Sequence, residues 1–261
     1  MPSSFTMIEY SVQERVAYVA MNRAAKRNAL HPVMISELHK AFKTAARDKH
    51  VRSVVLKGNG PAFSAGADLE YLQQLQKNSH KENLADSNRL RKLLECIYTH
   101  PKIVLAQVEG PALAGGCGLT TVCDLVFATP ESSFGYTEVK IGFVAALVMV
   151  FLLRKTGESR TRELLLSGRI LAAQEARDYG LVNFIHEKDD IGDAVMKYAQ
   201  KIALETAPDS ISLTKTMMAA IPGKSLDKAL DFAARMNARA RAGADCKKGI
   251  AAFLNKEKIS W

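Results

Sequence analysis

At 261 residues, 48% apolar and 24% charged, the chain has the composition of an ordinary globular protein with one large or two small domains. No apolar run approaches the roughly 20 residues that cross a bilayer, and four cysteines without CxxC spacing fit neither common zinc framework. The formal charge of +9 leaves nucleic acid, a membrane surface and a polyanionic small molecule open as partners, although the basic residues are scattered rather than blocked.

Residues 7–21 read as a hairpin: Ile8, Tyr10 and Val12 alternate, Gln13-Glu14-Arg15 turns, and a β-branched run returns. A polar loop follows at 22–30, with Arg23 and Lys26 on it. Residues 31–48 are helical, because Met34, Leu38 and Phe42 recur at four-residue steps. A strand at 51–57 ends at Gly58-Asn59-Gly60-Pro61, a strong turn signal. Then comes Phe63-Ser64-Ala65-Gly66-Ala67-Asp68-Leu69, rich in small residues and leading into a helix that Asp68 is placed to cap. Residues 77–86 are polar and weakly patterned, and are expected to form a mobile lid or an irregular helix. Leu90, Leu93, Leu94, Ile97 and Tyr98 mark the next helix, which Pro101 stops.

The strand at 103–108 leads into Gly110-Pro111-Ala112-Leu113-Ala114-Gly115-Gly116-Cys117-Gly118, where a helix should begin. The first N–H groups of a helix lack intrahelical partners and carry the positive end of its dipole. Such a turn suits an anion or a developing oxyanion, or it is a tight strand–helix turn with no ligand. The loop at Ala67, also after a strand, could supply a second donor to the same oxygen. A further strand is expected at 125–128, and the apolar run 141–153 reads as a buried helix. From Gly157 the pattern is mostly helical: a pair at 163–166 and 173–179, a short strand at 181–185, then helices at 191–205, 210–221 and 225–242 and a final one carrying Phe253 and Lys256. The order implies an α/β core over residues 1–200 and a helical region over 201–261.

Other chemistry finds little support. The six histidines show no HExxH and no cluster, and each is expected to be a surface or capping residue. GxSxG, GxGxxG and Walker loops are absent. Asp124 reads as structural, and the cysteines as buried free thiols. The start of the chain shows neither a secretory nor a transit pattern, so a cytoplasmic location is expected.

Phe-Ser-Ala-Gly-Ala-Asp-Leu, Ala-Gly-Gly-Cys, Cys123-Asp124-Leu125 and Phe134-Gly135-Tyr136-Thr137-Glu138, in this order and spacing, resemble the crotonase superfamily, the enoyl-CoA hydratase/isomerase family. The likeness runs from Met21-Asn22-Arg23 to the C-terminal helix. It implies a spiral of ββα units with a C-terminal helical trimerisation region, and a trimer or a dimer of trimers. It implies an acyl-CoA thioester substrate and no separate cofactor. The oxyanion hole would be the N–H groups of Ala67 and Gly115, and Glu138 would move a proton beside the thioester. Ala65, Asp68, Leu69, Gly116, Gly118 and Thr137 would line the substrate. Arg23 and Lys26 would be phosphate contacts of coenzyme A, or are simply surface cations. Phe253 and Lys256 would reach the coenzyme A of a neighbouring subunit, or are a core Phe and a solvated Lys.

One departure stands out: the family's hydratases carry a second glutamate where this chain has Gly118. One carboxylate suits double-bond isomerisation, whereas hydration needs one group to activate water and another to protonate carbon. Isomerisation is therefore expected, and Gly118→Glu should introduce hydration if the pocket has room. Alternatives are hydration of a 2-enoyl-CoA, for example branched methylglutaconyl-CoA, an acyl-CoA thioester hydrolase, and an RNA-binding relative. For the last no RNP-like motif is present.

Overall fold

The computed structural model describes residues 5–261. β1 (Ile8–Gln13) and β2 (Val16–Met21) form an antiparallel hairpin. Glu14 and Arg15 both take positive φ, as a two-residue primed turn requires. α1 (Pro32–Arg47) starts at His31, whose ring accepts the Val33 N–H. β3 (Ser53–Gly58) lies parallel to β2. Its Val54, Val55 and Leu56 are all fully buried, the continuous apolar run expected of a strand covered on both faces.

α2 (Leu69–Leu75) and α3 (His80–Tyr98) follow. Of the two expectations for 77–86, the mobile lid does not form, and the helix that does is regular rather than irregular: from His80 the stretch is the first turns of a 19-residue helix. Ser79 and Glu82 close a reciprocal capping box there, and the Ser-x-x-Glu spacing is legible in the sequence.

Three turns of one repeat build the centre. β3 is followed by a bridge at Ser64 and then α2. β4 (Ile103–Val108) is followed by β5 (Pro111–Leu113) and α4 (Gly115–Val122). β6 (Leu125–Ala128) is followed by β7 (Ser133–Gly135) and α5 (Ala146–Ser167). The first strand of each repeat enters a six-stranded sheet, ordered β1-β2-β3-β4-β6 and ending on β9 (Phe184–Ile185). The second member of each repeat stacks in a smaller layer, where Ser64 bridges Ala112, Ala112 pairs with Phe134, and β8 (Ile170–Ala172) closes the edge. This is the expected spiral of ββα units.

α6 (Ala173–Asp178) and α7 (Ile191–Glu205) complete the sandwich. One face of the large sheet packs Val55, Leu105 and Phe127 on Val195 and Ala199 of α7. The other packs Val54, Leu56 and Val104 on Leu38, Phe42, Leu94 and Ile97 of α1 and α3. The expected limit at residue 200 falls inside α7, which ends at Glu205. α8 (Pro208–Ala220), α9 (Leu226–Ala242) and α10 (Ala244–Leu254) form the helical region. It is tied to the core by Lys215, which is buried and pairs with Asp124, while Asp124 accepts the Val104 N–H at 2.7 Å.

Several local expectations change. The run 141–153 is not a buried helix. α5 begins only at Ala146, with Val148 and Leu152 inside, while Ile141, Phe143, Val144 and Val150 are exposed because one face alone meets the core. α5 also breaks at Gly157, whose φ of 78° and ψ of 172° are non-helical. Cys117 and Cys123 are buried thiols, but Cys96 and Cys246 are half-exposed. His100 is a core residue: Lys102 N–H donates to its Nδ1, its Nε2–H donates to the Phe42 carbonyl, and burial pushes its pKa down to about 4. Lys256 lies past the end of α10 with a φ of 56°, so it does not share a helical face with Phe253. Phe253 is 83% exposed and is no core residue.

Candidate active site

Three parallel segments stand side by side at Ser64, Ala112 and Phe134, and the chain leaves all three at the same end. Three residues past Ser64 is Ala67, three past Ala112 is Gly115, and four past Phe134 is Glu138. The repeat thus delivers two backbone donors and one carboxylate to one edge, as the carboxyl ends of parallel strands commonly do.

Both donors are unclaimed. Leu30 N–H donates to Gly66 O, and Leu30 O accepts from Asp68 N–H, so the Ala67 N–H between them points away from Leu30. Gly115 is the first residue of α4, where the N–H has no intrahelical partner. Neither N–H donates to a backbone carbonyl. The two loops are pressed together. A β-carbon on Gly66, where φ is +93°, would stand 2.7 Å from Ala114 Cβ and 3.4 Å from Gly115 N. One on Gly116 would stand 2.5 Å from Ser64 O, so only glycine lets α4 begin this close to the neighbouring loop.

Buried polar side chains that sequence reasoning passed over hold this arrangement. Ser64 Oγ donates to Asn28 O at 2.8 Å and accepts Gly66 N–H at 3.3 Å. The fully buried Asn28 donates to Asn59 O and Ala62 O and accepts Arg23 N–H. Ala114 has φ 49° and ψ −126°, a strained setting for a residue with a β-carbon. Its N–H donates to Gly135 O at 2.7 Å, which binds the α4 turn to β7.

Glu138 opens a short 3-10 turn after Tyr136 and the half-buried Thr137. Its side chain is buried, and Oε2 has no hydrogen-bond partner. Burial raises its pKa above the ordinary carboxylate range. Burial also pushes the Cys117 thiol up to about 11, and the charge of Glu138 acts in the same direction, so Cys117 is a neutral thiol rather than a nucleophile. Asp68 is differently employed. It caps α2 through the Tyr71 N–H and pairs with Arg23 Nη1 at 2.5 Å. Burial alone would raise its carboxyl, but these donors outweigh burial and hold it low.

Gly118 is buried one turn after Gly115, and α5 fills the space above it. A β-carbon there would stand 2.5 Å from Val148 Cγ2. The room required for a glutamate at 118 is absent in the native packing. Ala65 and Leu69 are exposed beside the Ala67 loop, and Lys26 pairs with Glu70 at 2.6 Å on the surface of α2. Phe253 and Lys256 belong to a separate groove of about 620 Å³, lined also by Leu254, Glu257 and Lys258. Among the described residues no helix is long and apolar enough to cross a membrane.

The family model described as enoyl-CoA hydratase/isomerase matches residues 11–261. A Thermus thermophilus protein provisionally named an enoyl-CoA hydratase is 45% identical over 241 residues, 92% of this chain and 95% of that one. The 2,3-dehydroadipyl-CoA hydratase of Escherichia coli is 31% identical, covering 94% of each chain. The crystal structure of an enoyl-CoA hydratase from Shewanella pealeana matches 98% of this chain and 96% of its own, with a TM-score of 0.92 at 28% identity.

Proposed function

The chain belongs to the enoyl-CoA hydratase/isomerase family, and on that premise we propose that it isomerises enoyl-CoA thioesters with Glu138 as its single acid/base. The observation that carries this reading is the pairing of a buried, unpartnered carboxylate at 138 with a glycine at 118. The Glu138 carboxylate takes the proton from the carbon between the thioester and a 3,4 double bond. The electron pair moves into the carbonyl, and the Ala67 and Gly115 N–H groups receive the dienolate oxygen. Glu138 then returns the proton to the γ carbon, and the double bond ends conjugated at 2,3. One group can do both transfers, since the proton leaves and returns on the same carboxyl. A raised pKa brings the carboxyl closer to neutral pH and favours exchange with carbon. The exposed apolar Val139, Ile141, Phe143 and Val144 just beyond the base suit an acyl chain or a neighbouring subunit.

Hydration is the second reading, favoured by the hydratase names of the relatives. In that case Glu138 would activate water with no second carboxylate. The test is incubation with trans-3- and trans-2-enoyl-CoA and identification of products by mass. An unchanged mass with a shifted double bond supports isomerisation. Efficient gain of one water by the 2-enoyl ester, with no shift of the 3-enoyl ester, refutes it.

We assign Arg23, Lys26, Phe253 and Lys256 to coenzyme A, and the assembly to a trimer or dimer of trimers. In support, α9 buries no residue within one chain, and Leu226 and Leu230 on it and Phe253 and Leu254 on α10 stand more than half exposed. Light scattering that gave a monomer at micromolar concentration would exclude a shared site.

A further inference from the structure

Gly118 and Val148 are far apart in sequence and share one space. A β-carbon at 118 would lie 2.5 Å from Val148 Cγ2 and 3.4 Å from Cγ1, the first far inside the 3.5–4.0 Å optimum of carbon–carbon contact. Val148 cannot yield by rotating. It is 4% exposed, it lies within α5, and a β-branched residue in a helix keeps one strongly preferred rotamer. The constraint at 118 therefore comes from the opposite helix. It bears on the reacting site because Gly118 is one turn beyond the donor Gly115 on the same helix.

We propose that Val148 is a specificity-determining residue. Its methyl groups close the α4 side of the site, so that this wall holds neither a second carboxylate nor a water awaiting activation, and Glu138 is left as the one group that moves a proton. The inference rests on the reading that the chain works on an enoyl thioester at Glu138. It adds that reaction choice is set by a pair of positions rather than by Gly118 alone.

The geometry names the compensating change. Val148→Ala removes both γ carbons, and the remaining β-carbon would stand 3.5 Å from a new one at 118, an ordinary contact. Two measurements separate this inference from the reading beneath it. The first is a melting cycle of Gly118→Ala, Val148→Ala and the double variant, which needs no substrate. Gly118→Ala should lower the midpoint by several degrees when Val148 is intact, and little when it is combined with Val148→Ala. The second is the rate of water addition to trans-2-enoyl-CoA by Gly118→Glu with and without Val148→Ala. The double variant should add water at least about 10²-fold faster than Gly118→Glu alone, the lower end of what one well-placed acid–base group contributes. Additive melting shifts, equal hydration with and without Val148→Ala, or a folded double variant that gains no hydration would each overturn the proposal. Wild-type hydration without a double-bond shift would remove the isomerase reading and with it the role of Val148 in reaction choice, and the melting cycle would then decide only whether Val148 is what closes position 118.

Discussion

Replacing Glu138 by Gln keeps the side chain's size and deletes its titrating proton. With no second carboxylate at 118, nothing near the α4 turn substitutes for it. Loss of a general acid–base group costs about 10²–10⁴-fold in rate, or about 3–5 kcal/mol of barrier at 1.36 kcal/mol per tenfold. Affinity for a saturated acyl-CoA should change little, because the oxyanion donors are backbone groups elsewhere. Stability should move the other way. Oε2 is buried without a partner, and a buried unsatisfied group costs about 1–3 kcal/mol, more if charged. The folded-state pKa of Glu138 is raised, so folding favours its protonated form. That favourable contribution is complete below the unfolded carboxyl value, about 4.3, and is lost as pH rises through the folded value. Glu138→Gln should therefore match wild type in acid and melt higher at pH 7, by roughly 2–4 °C for each kcal/mol relieved. Turnover by product mass, and calorimetry at about pH 4 and pH 7, on either side of that loss, measure both. A variant that keeps more than about a tenth of wild-type turnover, or melts several degrees lower at pH 7, refutes the assignment of Glu138 as a base held at a cost in stability.

Three further outcomes follow from the geometry. Gly115→Pro deletes one oxyanion donor at a helix position that tolerates proline, and a folded variant should lose about 10²–10³-fold in kcat; full activity would place the hole elsewhere. Ala114→Gly should relieve the strain at φ 49° and ψ −126°, worth on the order of 1–3 kcal/mol, and raise the melting point, whereas an unchanged or lower midpoint counts against the strain. His100 has a folded pKa near 4, below its unfolded value of about 6.5, so its contribution is present above 6.5 and is lost as pH falls toward 4. Stability should then fall with pH across that window by up to about 1.4 kcal/mol per unit, and His100→Gln should flatten the slope measured in urea.

Much of this fold was legible because its signals are local. The hairpin, the parallel apolar strands and the glycine-rich turns announce themselves within a few residues. The small layer was not, because β5, β7 and β8 span three residues each, too short for an alternating pattern to show. The regularity of the helix starting at His80 was hidden for another reason: its apolar stripe begins late, and its early sign is the Ser79–Glu82 box. In the site, Ala67, Gly115 and Glu138 could be named through the family resemblance that their motifs carry. Ser64, Asn28 and Val148 could not, since each matters through a partner distant in sequence, 36 residues away for the Ser64–Asn28 bond, that only the folded chain supplies. The order of residues 141–153 misled because composition reports how apolar a stretch is, not which of its faces finds a neighbour.

The Asp124–Lys215 pair also sets an order of events. Asp124 is made 91 residues before its counter-charge. At about 5–20 residues per second of synthesis, the growing chain carries that acid for roughly 5–20 s with Lys215 still to come. Lys155 arrives earlier and lies close enough to act on Asp124, a companion that the folded chain keeps beside Lys215. Burying Asp124 raises its pKa, so a nascent chain that closes its sheets early does so against an incompletely neutralised acid. The last helices are thus more than an appendage to a finished body: until α8 brings Lys215 home, the start of β4 has no settled electrostatic environment.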